Sequence, residues 1–192
     1  RGGGLAAGSG CEGGVRTRPA AEVNALFGLL KTFIKKDLAR LRKEGVKIRV
    51  IGRRQGLPED IAALVEKAET DTASNSDFYL NIAFNYGGRE EVSRAARALA
   101  EDVKSGAINA AEISEDVFAS YLDTAGMPDP DLLIRTSGEY RLSNFLLWQG
   151  AYSELIFFDV LWPDFDRGWL EKAITVYQER ERRFGAVTTG DA

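Results

Sequence analysis

Strand-like and helix-like runs alternate along this chain, and that alternation leaves it few ways to fold. The runs VKIRVI at Val46–Ile51, FYLNIAF from Phe78, LLI at Leu132–Ile134 and LIFF at Leu155–Phe158 are rich in β-branched and aromatic residues. Between them lie segments of helical period. A helix between two strands carries the chain back across the sheet, so such strands pair in parallel. The pattern predicts an α/β fold, a single domain with a central, largely parallel sheet flanked by helices. In such sheets ligands sit at the carboxyl ends of the strands.

The first helix opens near Pro19, a good first-turn residue, and places Val23, Leu26, Phe27, Leu30, Phe33, Ile34, Leu38 and Leu41 on one face before Gly45 stops it. That face either packs the core or lines an apolar binding cavity. A second helix follows the turn at Leu57-Pro58-Glu59-Asp60 and runs to about Thr70, and a third spans Glu90 to Lys104. Ser114 opens a short helix that ends by Gly126, and a last one begins at Asp166 and breaks at Gly185. The sixteen residues from Arg1 hold seven glycines and almost nothing apolar, so a disordered tail is expected over 1–17, then a domain over 18–187 and a short tail over 188–192.

Composition removes whole classes of chemistry. With no histidine and one cysteine, Cys11, in 192 residues, the chain has no Ser/His/Asp or Cys/His catalytic set, no internal disulfide and no thiolate zinc site. A net charge of −4 gives no general attraction to nucleic acid or an anionic membrane, so phosphate recognition has to come from a local arginine cluster. No apolar run approaches the roughly 18 residues of a membrane span, and the expected setting is the cytoplasm.

One such cluster exists between Pro128 and Pro163. Arg135 follows the LLI run directly, and Arg141 and Ser143 return after a Thr-Ser-Gly turn. Two guanidinium forks and a hydroxyl suit a diphosphate, and Ser143 or Asn144 would cap a short helix whose free N–H groups add to an anion site. Glu154 stands before the LIFF run, where an unpaired charge is costly. A magnesium ion shared with substrate phosphate would resolve this, because Mg2+ takes few protein carboxylates. The alternative is an ion-pair net, with Arg135 on Glu139 or Asp131 and Arg141 on Glu154.

The run DLLIRTSGEYRLSNFLLWQGAYSELIFFDVLWPDFD resembles the signature region of the cis-prenyltransferases, the undecaprenyl diphosphate synthase or isoprenyl transferase family. LNIAFNYGGREE and the terminal ERRFG also resemble that family's blocks, and the likeness extends from about Arg18 to Gly185. It implies a homodimeric, magnesium-dependent transferase that adds isopentenyl diphosphate units to an allylic diphosphate. The double bonds formed would be Z, with the product in a hydrophobic tunnel faced by the first helix, with Phe84 or its strand neighbours. The lipid product would bring a peripheral contact with a membrane. By position, Arg135, Arg141 and Ser143 would hold isopentenyl diphosphate and Glu154 would be the metal ligand. Arg183 and Gly185 match the R-x-G ending that reaches the partner subunit's site. Tyr86 to Arg89 are expected to make only a tight turn and a helix start, and Trp148 and Trp162 to be core or interface aromatics.

The family's Asp-Gly-Asn-Gly-Arg-Trp block is absent, and CEGGVRT stands in place of the Ser-Glu-Asn-Trp segment expected before Arg18. The chain therefore resembles an N-terminally truncated member, expected to be inactive alone. Turnover of labelled isopentenyl diphosphate above a Glu154→Ala control would overturn this. The competing reading is a noncatalytic partner subunit that donates Arg183 and Gly185 to a catalytic chain.

Overall fold

A computed structural model of the chain describes residues 5–8 and 20–180. Two compact units divide it, the first made of Arg1–Met127 with Ser143–Phe145, the second of Pro128–Leu142 with Leu146–Ala192.

In the first unit the order is β1 (Leu5–Gly8), α1 (Ala20–Lys43), β2 (Val46–Ile51), α2 (Glu59–Asp71), β3 (Phe78–Ala83), α3 (Gly88–Ser105), a 3-10 turn (Ala110–Glu112) and α4 (Glu115–Ala119). The strands pair in parallel in the order β1-β3-β2, with Leu5 opposite Leu80 and Val46 opposite Phe78. Strand β1 corrects the expectation of a wholly disordered tail. That expectation counted only the side chains available to bury, whereas alanine and glycine supply ladder hydrogen bonds from the main chain like any other residue. The other residues of 1–17, and 188–192, lie outside the described ones.

The periodic positions of α1 whose side chains are described, Phe27, Ile34, Leu38 and Leu41, do face inward. Ile34, Leu38 and Leu41 are buried with Val46, Ile48 and Val50 of β2, Ile61, Val65 and Ala68 of α2, and Phe84. Full burial of one such large apolar side chain stabilises by about 1.5–3 kcal/mol. Phe27 meets Phe84 with ring centroids 5.8 Å apart, so at this point the helix face packs against the core. A cleft of about 340 Å³ does open along α1, but it lies against α2, lined by Ile34, Leu38, Ala39, Arg42 and Leu64.

The free edge of β2 is closed by side chains. Alternate N–H groups of Ile48, Val50 and Gly52 donate to Thr72 Oγ1 (3.0 Å), Glu69 Oε1 (2.8 Å) and Asp123 Oδ2 (2.9 Å). An open row of such donors would otherwise invite pairing with another chain.

Helix α1 is also tied to the start of α2 by the Lys31–Asp60 ion pair. The hydrogen bond from Lys31 holds the Asp60 carboxyl below its ordinary pKa. Because the folded value is depressed, the contribution to stability is complete above the ordinary aspartate value and fades as pH falls through the folded one. In Lys31→Ala the Asp60 titration, followed by carboxyl NMR, is expected to move up to the ordinary aspartate range. An unchanged midpoint would show that the pair is not formed in solution.

In the second unit β4 (Leu132–Arg135) pairs in parallel with β5 (Glu154–Phe157), Leu132 facing Glu154 and Arg135 facing Phe157. A 3-10 turn (Trp162–Asp164) leads to α5 (Arg167–Glu179), whose start is capped by Asp166 accepting from the Trp169 N–H at 3.2 Å. Ile156, Phe158 and Ala173 form the core with Phe165 and Trp169 around them. Every strand pairing described is parallel, as the alternation predicts. The short helix expected after Asn144 is absent, and the chain runs there as a series of turns. Ser143, Asn144 and Leu146 have φ of 52°, 62° and 45°, which no right-handed helix accommodates.

Candidate functional site

Arg135 is the last residue of β4, the carboxyl-end position that the sequence predicts for it. It is half-buried and makes no ion pair among the described residues. The turn that follows it is fixed by main-chain bonds: the Ser137 N–H donates to Val160 O at 2.8 Å and the Gly138 N–H to Phe158 O at 3.0 Å. Those amides are spent on the structure of the second unit, so anion binding there falls to side chains. Arg141 is exposed and paired with Glu139, the kind of surface pair worth about 0–1 kcal/mol and readily exchanged for a better anion.

Glu154 opens β5, and its Oε2 accepts from Arg180 Nη1 at 2.7 Å, with Arg180 also donating to Leu155 O at 3.0 Å. An ion-pair net therefore exists, but with partners other than those expected: Arg141 takes Glu139, and Glu154 takes Arg180, 26 residues away in the chain. The second oxygen, Oε1, has no partner among the described residues. That suits a magnesium ion held mostly by phosphate and water, since Arg180 would orient the carboxylate from the other side. Among the described residues no three His, Cys, Asp or Glu side chains cluster to hold a metal by themselves.

Ser143 belongs to the first unit. Its Oγ is buried and has no hydrogen-bond partner among the described residues, and leaving a buried hydroxyl so costs about 1–3 kcal/mol. Asn144, expected to cap a helix of its own, caps α3 instead. Its carbonyl accepts from the Gly88 N–H at 2.7 Å and its Oδ1 from the Arg89 N–H at 2.9 Å. Gly88 and Arg89 start α3 as expected, with Tyr86 buried, but the tight turn expected with them is not formed, since Gly87 is extended. Trp162 is 61% exposed and not core. Arg183 and Gly185 lie outside the described residues.

Sequence reasoning missed a polar network beneath the start of α3. Glu91, 1% exposed, accepts from Tyr86 Oη (2.6 Å) and from the Asp123 N–H (2.8 Å). Asp123 in turn receives both Nη1 and Nη2 of Arg94, at 3.1 and 3.0 Å, together with the Gly52 N–H. Burial works against the Arg94 charge, but the bonds to Asp123 outweigh it, and its pKa lies above the ordinary arginine value. Helical spacing gives a faint signal here, since Glu91 and Arg94 are three residues apart on α3, but Asp123 falls where the sequence predicts the end of a short helix, whereas α4 ends at Ala119 and Asp123 lies in the turns beyond it.

The prenyltransferase family model described as undecaprenyl diphosphate synthase matches residues 16–185, a range that runs through both units. The chain is 56% identical over 170 residues to an isoprenyl transferase of Agrobacterium fabrum, covering 88% of this chain and 69% of that one. It is 49% identical over 170 residues to an isoprenyl transferase of Bacillus subtilis, covering 88% and 65%. Among solved structures, lavandulyl diphosphate synthase from Lavandula x intermedia, in complex with dimethylallyl diphosphate, superposes with a TM-score of 0.85 at 36% identity, over 88% of this chain and 74% of that one. A probable undecaprenyl diphosphate synthase from Campylobacter jejuni superposes with a TM-score of 0.77 at 30% identity, over 88% and 77%. The strand-end arginine, the start of α3 and the buried serine all lie inside the matched range, and the chain belongs to the undecaprenyl diphosphate synthase family of cis-prenyltransferases.

Proposed function

We propose that this chain binds isopentenyl diphosphate for condensation with an allylic diphosphate into a Z-polyprenyl diphosphate, with Arg135, Arg141 and Ser143 as the diphosphate contacts. The observation that carries the reading is the Ser143 hydroxyl, buried and without a hydrogen-bond partner among the described residues, within the family range. Arg135 supports it as a half-buried guanidinium at a strand's carboxyl end with no carboxylate to neutralise it among the described residues. Arg141 supports it through a surface pair that can be exchanged.

In the condensation, the C–O bond of the allylic diphosphate breaks and its electron pair leaves with the diphosphate. The isopentenyl double bond supplies the electrons of the new C–C bond, and a proton is lost to leave the new double bond. Binding by this chain orients the alkene and neutralises the diphosphate of the attacking partner, an effect of positioning and fixed charge. Glu154 would hold a magnesium ion, which when bound supplies charge neutralisation at phosphate oxygens. The homodimer, with Arg183 and Gly185 contributed to the partner's site, and the cytoplasmic setting belong to the same proposal.

Titration calorimetry of isopentenyl diphosphate tests the reading without requiring turnover. Arg135→Ala is expected to weaken binding by roughly 10- to 100-fold, the scale of a lost charged hydrogen bond. Glu154→Gln is expected to abolish the gain in affinity that Mg2+ gives over a chelator. Equal affinity for wild type and Arg135→Ala would sink the assignment.

A further inference from the structure

Ser143 and Asn144 are consecutive non-glycine residues in the left-handed region, a backbone that persists only where surrounding contacts impose it. The contacts that impose it fall on Asn144. Its carbonyl and its Oδ1 take the first two N–H groups of α3, from Gly88 and Arg89. The residue at the N-cap position of that helix, Gly87, has no side chain to do so. Gly87 is extended, with φ −159°, so its backbone does not demand glycine. The demand is spatial, because a Cβ there would lie 2.8 Å from Asn144 Nδ2. Beyond Asn144, the Phe145 ring meets Tyr86 edge-on with centroids 6.0 Å apart. Residues 143–145 are thus fastened to residues 86–89 by two hydrogen bonds and a ring contact, while the buried Ser143 hydroxyl has no hydrogen-bond partner among the described residues.

We propose that Asn144 is a positioning residue for the diphosphate site. By capping α3 from a distant part of the chain it holds Ser143 in the left-handed conformation that fixes where the hydroxyl points, and Gly87 is the space its amide requires. This rests on the reading of Ser143 as a diphosphate contact. Aspartate at 144 retains both an acceptor for the Arg89 N–H and tolerance of left-handed backbone, whereas alanine has neither.

The test is a double-mutant cycle on the full chain with Mg2+, reading isopentenyl diphosphate affinity by calorimetry and folding by thermal melts. Ser143→Ala and Asn144→Ala are each expected to weaken binding about tenfold, and Asn144→Ala to add less than about twofold in the Ser143→Ala background, because coupled residues are not additive. Asn144→Asp is expected to restore most of the affinity. Gly87→Ala, which pushes the amide aside without touching Ser143, is expected to reproduce the Asn144→Ala loss and carries the test if Asn144→Ala does not fold. An Asn144→Ala loss of the same factor in both backgrounds overturns the proposal while leaving Ser143 as a contact. Unchanged affinity in Ser143→Ala overturns the diphosphate reading of Ser143, and the positioning role falls with it.

Discussion

Gly52→Ala is expected to destabilise the first unit by about 4 kcal/mol, combining left-handed backbone strain with overpacking against a main-chain atom. Gly52 has φ 118°, and a Cβ on it would stand 2.1 Å from Phe84 O and 3.1 Å from the Asn85 carbonyl carbon. Neither neighbour can yield alone. The Phe84 N–H donates to Ile51 O at 2.9 Å, the Arg53 N–H to Asn85 O at 3.2 Å, and Asn85 Nδ2 back to Arg53 O at 2.9 Å. Shifting Phe84 therefore drags the carboxyl ends of β2 and β3 together. Gly28 provides the contrast: it sits inside α1, and a Cβ on it would meet nothing within 4 Å, so Gly28→Ala is expected to be neutral or to stabilise by up to about 1 kcal/mol. Thermal melts of both variants decide the matter. A Gly52→Ala midpoint within about 2 °C of wild type would mean that the junction yields far more easily than its bonding implies.

The same junction marks the division between what local sequence encodes and what it does not. VKIRVI becomes β2 over the residues that alternate, Gly45 follows the end of α1, and Ser114 and Asp166 cap the helices they were expected to open. Each of those signals acts over a few residues, through side-chain period or a cap bond to the next turn. Arg135 was placed correctly for the same reason, since a strand's end puts the next residue at its carboxyl edge. By contrast, the donors along β2 are satisfied by Thr72, Glu69 and Asp123, which stand 24, 19 and 71 residues from their partners. Glu154 looked like an unpaired charge because Arg180 belongs to the far end of α5. The helix expected after Asn144 fails because the bonds of Asn144 go to an earlier helix, and a turn-forming residue follows its strongest partner wherever that partner lies. Strand β1 was missed because a ladder of main-chain bonds leaves no trace in side-chain composition.

Glu91→Ala is the second large effect, again about 4 kcal/mol, because it strands two donors in a place that water does not reach. Glu91 is 1% exposed and accepts from Tyr86 Oη and from the Asp123 N–H through different oxygens, so no single rotation of a neighbour replaces it. Asp123 holds the Gly52 N–H and the Arg94 guanidinium, so loss of its own anchor loosens the β2 end as well. Glu91→Gln preserves the shape and one acceptor but turns a donor toward a donor, and it should cost less than alanine, about 1–2 kcal/mol. Urea unfolding reads the order directly, with alanine below glutamine below wild type at an unchanged m-value. Through Tyr86 the network adjoins the Gly87–Arg89 segment that Asn144 caps, next in sequence to Ser143 of the proposed diphosphate site. Folded Glu91→Gln protein should therefore also bind isopentenyl diphosphate more weakly than wild type. An alanine variant within about 1 kcal/mol of wild type would show that the hydrogen bonds of Glu91 are exchanged for water in solution.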